Sequence, residues 1–179
     1  MREWIFNHFE LFLCILLLIS RIGDLTTTYL CTPKLTLESN PVMKKLGWRF
    51  GLLTLLVCFL PWYSTSMSVM VLVPFFLVTS SNAAKIWVLR AIGEREYGRL
   101  ALSWAARSKR STALAAAWAS ALFLALVGAL LLLLCPNPAL DWGYWIGLGI
   151  LLYAAIITLY STLSILSLFK RAKAAQQAQ

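Results

Sequence analysis

The sequence predicts an all-α fold: a polytopic membrane protein with five transmembrane helices. Three observations carry that expectation. Three stretches, 50–84, 111–140 and 142–169, contain no Asp, Glu, Lys or Arg. Each exceeds the roughly 20 apolar residues that cross a bilayer core as a helix. The 179 residues are 60% hydrophobic and only 13% charged, too few charges to cover a water-exposed surface of this size.

The first span is read at 5–28, apolar in its middle and polar toward its end. Leu11 to Ile19 could pass as the apolar part of a signal peptide. Glu3 and Glu10 offset Arg2, however, and no small-x-small cleavage site follows, so a retained helix is expected. A loop covers 29–41, and the second span is read at 42–62 as one helix with basic first turns. Tyr63-Ser64-Thr65-Ser66, after Pro61, has the composition of a tight turn. The alternative is one long kinked helix over 50–84. At about 1.5 Å per residue it would reach about 52 Å, far more than the core needs, so a hairpin is preferred. The third span is read at 67–89, the fourth at 111–135 and the fifth at 142–169. Pro136-Asn137-Pro138 separates the last two, because proline cannot continue a helix.

The net charge of +9 does not point to nucleic acid, because the basic residues fall between the apolar spans. Lys34, Lys44, Lys45 and Arg49 follow the first span. Arg90, Arg95, Arg99, Arg107, Lys109 and Arg110 follow the third, and Lys170, Arg171 and Lys173 follow the fifth. The turns at 63–66 and 136–141 hold neither Lys nor Arg. With five spans, positive-inside sorting puts the N-terminus outside and the C-terminus in the cytoplasm. The expected localisation is multi-pass in a cell membrane, a bacterial inner membrane. Segment 94–110 reads as an interfacial helix. There Arg95, Arg99, Arg107, Lys109 and Arg110 would meet anionic lipid headgroups, with a protein partner as the alternative.

The chemistry-bearing residues cluster at one depth. Arg21 and Asp24 are three apart and share a helix face, and Thr27 and Thr28 lie near Asp24 on it. Ionisable groups in a membrane helix are costly and usually face protein or water. Arg21, near the span end, is expected to be able to snorkel to the interface. Late in the third span Asn82 and Lys85 also share a face, so Asp24 is expected to pair with Arg21 or Lys85, and Asn82 to bond the same cluster. For Lys85 the plainer alternative is snorkelling. In the loop, Asn40 is a good N-cap and Pro41 fits the first helical position. Glu38 has three readings: it favours the helix N-terminus, or reaches Lys44 or Lys45, or reaches Arg21.

Asp24 with Thr27 or Thr28, then Glu38-x-Asn40-Pro41, and Asn82 late in the third helix, resemble a family of small bacterial and archaeal membrane proteins classed as a domain of unknown function. The resemblance covers roughly residues 1–90 and implies a three-helix core there. The rest then divides into a cytoplasmic interfacial segment (91–110), a two-helix addition (111–169) and a tail (170–179), all within one membrane domain, 1–179. The resemblance implies no activity.

Span four is rich in alanine, and Gly143 and Gly147 form G-x-x-x-G in span five. Such residues let helices approach closely, either within the chain or between copies. Cys14, Cys31, Cys58 and Cys135 form no C-x-x-C, and His8 is the only histidine, so no metal site and no cofactor is expected. There is no H-E-x-x-H, no phosphate-binding glycine loop and no Ser/His pair. The function expected is a non-enzymatic accessory or assembly subunit. The alternatives are a small transporter or channel component built on Arg21, Asp24, Asn82 and Lys85, or an intramembrane enzyme acting on lipid through Asp24 and Glu38.

Overall fold

The computed structural model describes residues 8–38 and 40–177, all helix, turn and loop. Arg2, Glu3, residues 5–7 of the expected first span, Ser39, and residues 178–179 of the tail lie outside the described residues.

Helix α1 (Phe9–Cys31) is a Leu/Ile-rich run that ends where Pro33 forbids continuation. The residue before a proline is pushed out of the helical region, and Thr32 accordingly sits at φ −146°, ψ 73°. The next apolar stretch departs from expectation. Residues 42–62 do not form one helix but three pieces: α2 (Pro41–Leu46), α3 (Trp48–Leu53) and a 3-10 helix (Thr54–Trp62). Gly47 makes the first break, at φ +65°, a conformation that costs glycine little and other residues more. The second is a tightening of the helix at Thr54. Nine residues is long for a 3-10 run. Hydropathy alone marks neither break: Gly47 sits among Lys44, Lys45 and Arg49 in what reads as a basic helix start, and Thr54 sits inside apolar sequence.

The turn expected at 63–66 is present but shorter, at 63–64, and Thr65 and Ser66 already belong to the next helix. Ser64 is extended, and its hydroxyl accepts from Met67 N–H at 3.2 Å to cap α4 (Thr65–Ile92). The alternative of one continuous helix over 50–84 is thereby excluded. Gly93, at φ +79°, separates α4 from α5 (Glu94–Arg107), which occupies the segment read as interfacial. Helix α6 (Arg110–Leu134) stops before Pro136, and α7 (Trp142–Gln177) follows. Helix α7 runs on through 170–177, read from the sequence as a tail. At 36 residues it is about 54 Å long, well beyond a bilayer core.

Among the described residues three helices, α4, α6 and α7, are long and apolar enough to cross a membrane, fewer than the five spans expected. Their apolar windows are only 17%, 11% and 22% buried. Leu126, Leu130 and Leu133 of α6, for example, lie more than half exposed.

Helices α6 and α7 are antiparallel and meet through small residues. A Cβ on Gly147 would lie 2.9 Å from Gly128 O, and one on Gly143 2.5 Å from Cys135 Sγ. The G-x-x-x-G thus serves contact within the chain. Two positions on, a Cβ on Gly149 would lie 2.5 Å from Met70 O of α4. Pro74, four residues after Met70, has no N–H to bond that carbonyl. The missing helix bond and the missing side chain therefore coincide, and α7 backs directly onto the freed carbonyl. Helices α1 and α4 run parallel, with Leu17 and Leu72 buried together with Cys58 of the 3-10 helix. The rings of Phe9 and Trp142 meet at a tilt, 5.2 Å between centres, at one end of the bundle. The basic segments after α1, after α4 and in the last turns of α7 gather at the other end, where Glu94 binds the loop after α1 and α5 lies along α7.

Candidate functional site

The polar residues of α1 assemble into one buried cluster. Arg21 turns inward and is 5% exposed, which corrects the expectation that it snorkels. Its Nη1 donates to Asp24 Oδ2 and its Nη2 to Thr54 Oγ1, and the guanidinium lies 4.4 Å from the centre of the Phe75 ring. Arg21 Nε has no hydrogen-bond partner among the described residues. The other Asp24 oxygen accepts from Thr28 Oγ1 at 3.5 Å, and Thr28 Oγ1 accepts from Asn82 Nδ2 at 3.1 Å. Cys31 Sγ reaches Asn82 O at 3.4 Å, and Thr79 Oγ1 donates to Ser20 O at 3.3 Å. One chain of polar contacts thus ties α1 to α4 and to the 3-10 helix.

Thr54 sits where α3 tightens into the 3-10 helix. Its hydroxyl donates to Gly51 O at 2.5 Å while accepting from Arg21. A buried cation is thereby anchored on the residue at which the helix changes pitch. A planar guanidinium can serve a carboxylate, a hydroxyl and an aromatic face together, which an ammonium cannot.

Of the expected members, Arg21, Asp24, Thr28 and Asn82 come together. Thr27 donates to its own helix at Asp24 O, 3.1 Å. Lys85 is exposed and does not pair with Asp24, since Arg21 holds the carboxylate. Glu38 reaches neither Arg21 nor a lysine: its Oε1 accepts from Asn40 N–H at 2.7 Å. Asn40 caps α2 as expected, accepting from Val42 N–H at 2.9 Å and Met43 N–H at 3.3 Å. Thr54, Phe75 and Thr79 were not legible as members, because hydroxyls and a phenyl ring in apolar sequence carry no distinguishing pattern.

A second cluster escaped the sequence reading altogether. Glu94, first residue of α5, accepts from the hydroxyls of Thr32 and Thr36 and from Thr36 N–H at 3.0 Å. Leu37 N–H in turn reaches Thr32 Oγ1 at 3.3 Å. Partial burial pushes the Glu94 carboxyl up, but these donors outweigh it and hold it below the usual glutamate range. The loop so held contains Leu35 at φ +54°, a left-handed position that a branched side chain rarely takes. Leu35 is buried, and burial offsets the cost.

At the basic end, Arg95, Arg99, Arg107, Lys109 and Arg110 are all exposed. Arg99 is paired with Glu96 at 2.7 Å, so it is a less available cation than its neighbours. Tyr97 and Trp104 meet edge to face on α5. Among the described residues no group of three or more His, Cys, Asp or Glu side chains is placed to hold a metal. No protein-family model, no curated protein and no solved structure matches the chain.

Proposed function

We propose that this chain is a multi-pass membrane protein of non-enzymatic role, an accessory or assembly subunit, and that the Arg21–Asp24 cluster is its internal clasp. The membrane reading rests on the outward-facing apolar side chains of α4, α6 and α7. Water would charge about 25 cal/mol for every Å² of such surface; hydrocarbon charges nothing. Helix α1 is the fourth crossing, long enough at 23 residues, with Arg21 and Asp24 turned into protein and Glu10 in its first turn, at the membrane edge. The broken segment is the fifth. A 3-10 helix rises about 2.0 Å per residue against about 1.5 Å for an α-helix. Trp48–Trp62 therefore extends about 27 Å, close to the roughly 30 Å core, with fewer residues than a regular span needs. The basic end faces the cytoplasm and the N-terminus the outside. Helices α1 to α4 correspond to the part that resembles the small membrane-protein family.

The clasp reading is carried by one observation. The charged groups of Arg21 and Asp24 are partnered by side chains of three helical segments rather than left open. A buried ion pair so enclosed fixes how those segments sit. Gentle detergent extraction followed by mass determination of what remains attached tests the role. A stoichiometric protein partner, retained by Asp24→Asn, is the expected result. Isolated chain whose proteoliposomes conduct ions, with conduction abolished by Asp24→Asn, would establish the transporter alternative instead.

A further inference from the structure

The C-terminal turns of α7, helix α5 and the start of α6 enclose a cleft of about 740 Å³. Its cations are Arg110, Lys170 and Lys173, all exposed, and its apolar floor includes Leu166 and Phe169. None of its lining residues is acidic. The cations and the floor are ordered along α7. Leu159, Leu163, Leu166, Lys170 and Lys173 recur at intervals of three or four, so they lie on one face of the helix. Leu159 and Leu163 are 56% and 45% exposed. From Lys170 back to Leu159 the helix rises about 16 Å, roughly half a bilayer core and so about the depth of one leaflet's acyl chains.

We propose that this cleft is a binding site for one anionic phospholipid of the cytoplasmic leaflet, its phosphate between Arg110, Lys170 and Lys173 and one acyl chain along Leu166, Leu163 and Leu159. The proposal rests on the membrane reading above. It adds a discrete stoichiometric site to what would otherwise be diffuse attraction between basic residues and an acidic surface. Charge complementarity selects an anionic headgroup. The leucine track beneath selects an amphiphile over free phosphate.

Native mass spectrometry of the detergent-solubilised full chain tests this, with phosphatidylglycerol and phosphatidylcholine as probes. Wild type should retain one phosphatidylglycerol in preference to phosphatidylcholine. The variant Arg110→Gln/Lys170→Gln/Lys173→Gln should lose about fivefold in retention per cation removed, about a hundredfold in all. A matched variant, Lys34→Gln/Lys44→Gln/Lys45→Gln, removes as much charge from exposed positions outside the cleft and should bind as wild type. Leu163→Asn should weaken retention with every cation in place. Equal loss in both triple variants means a diffuse patch and overturns the site. Displacement of the lipid by excess glycerol 3-phosphate means a free-phosphate site and overturns it too. All variants are also tested for release by alkaline washing of membranes. Wild type washing off defeats the membrane reading itself, whereas an Arg110→Gln/Lys170→Gln/Lys173→Gln variant that stays in the pellet yet binds lipid like wild type defeats only the cleft.

Discussion

The two halves of the bundle are held together by opposite means. Helices α1 and α4 and the 3-10 helix are joined through buried polar groups, with Arg21 as the hub. Helices α6 and α7 are joined mainly by close approach at Gly128, Gly143 and Gly147, with one side-chain hydrogen bond between them, from Trp118 Nε1 to Thr162 Oγ1 at 2.9 Å. In lipid neither half gains much from apolar burial, because the surroundings are as apolar as the contact. Each half relies mainly on one of the two remaining sources of attraction. Hydrogen bonds in the first half specify a particular geometry, including a helix that changes pitch. Close packing in the second half demands only straight helices and small residues. Gly149 against Met70 O, beside Pro74, is a place where the two halves meet, and there it is close packing that joins them.

This contrast can be broken from either side. The largest effect is expected in the polar half. Arg21→Ala leaves the Asp24 carboxylate enclosed without its cation and should cost about 3–5 kcal/mol, read as lost folded yield and a lower Tm in detergent. Replacing the pair together, Arg21→Met with Asp24→Leu, should recover much of that loss, since apolar isosteres often match a buried pair. If the double variant is as damaged as Arg21→Ala, the pair does more than satisfy itself.

In the small-residue half, Gly147→Val puts carbon into Gly128 O and should cost about 1–3 kcal/mol by overpacking. Gly149→Val should do the same between the halves. Thermal unfolding in detergent checks both, and Gly47→Ala, placed where no atom lies within 4 Å, isolates the backbone cost.

A smaller effect of distinct character is expected at Glu94. Its folded pKa lies below the unfolded value. Its contribution is therefore complete above the ordinary glutamate pKa and is lost as pH falls through the lower folded one. Stability of wild type should decline on acidification through that window, and Glu94→Gln should flatten the decline. An unchanged slope in Glu94→Gln would remove the carboxylate from the account of the loop. The smallest effect is Asn40→Ala, about 1 kcal/mol for the lost cap, seen as faster amide exchange at Val42 and Met43.

The sequence showed helical class well, because long uncharged apolar runs leave few alternatives. It showed Arg21 as one of two candidate partners for Asp24, and the Asn40 cap, since both depend on spacing within a few residues. It hid what depends on distant parts of the chain. Whether Arg21 turns in or out is decided by Thr54 and Phe75, which pattern cannot bring to its side. Lys85 stays out because Asp24 already has its partner. The segment 42–62 read as one helix because hydropathy does not record the φ of Gly47 or a change of pitch at Thr54. The Glu94 cluster joins residues some sixty positions apart, and nothing local marks Thr32 or Thr36 as its donors.

The central claim is that the exposed apolar faces of these helices meet hydrocarbon. Nitroxide spin labels at Leu126, Leu130 and Leu159 in reconstituted membranes measure this directly, by collision with oxygen, which concentrates in lipid, against a water-soluble nickel chelate. The account predicts strong oxygen broadening and almost none from nickel at all three positions. Free access of the nickel chelate to these leucines would contradict it.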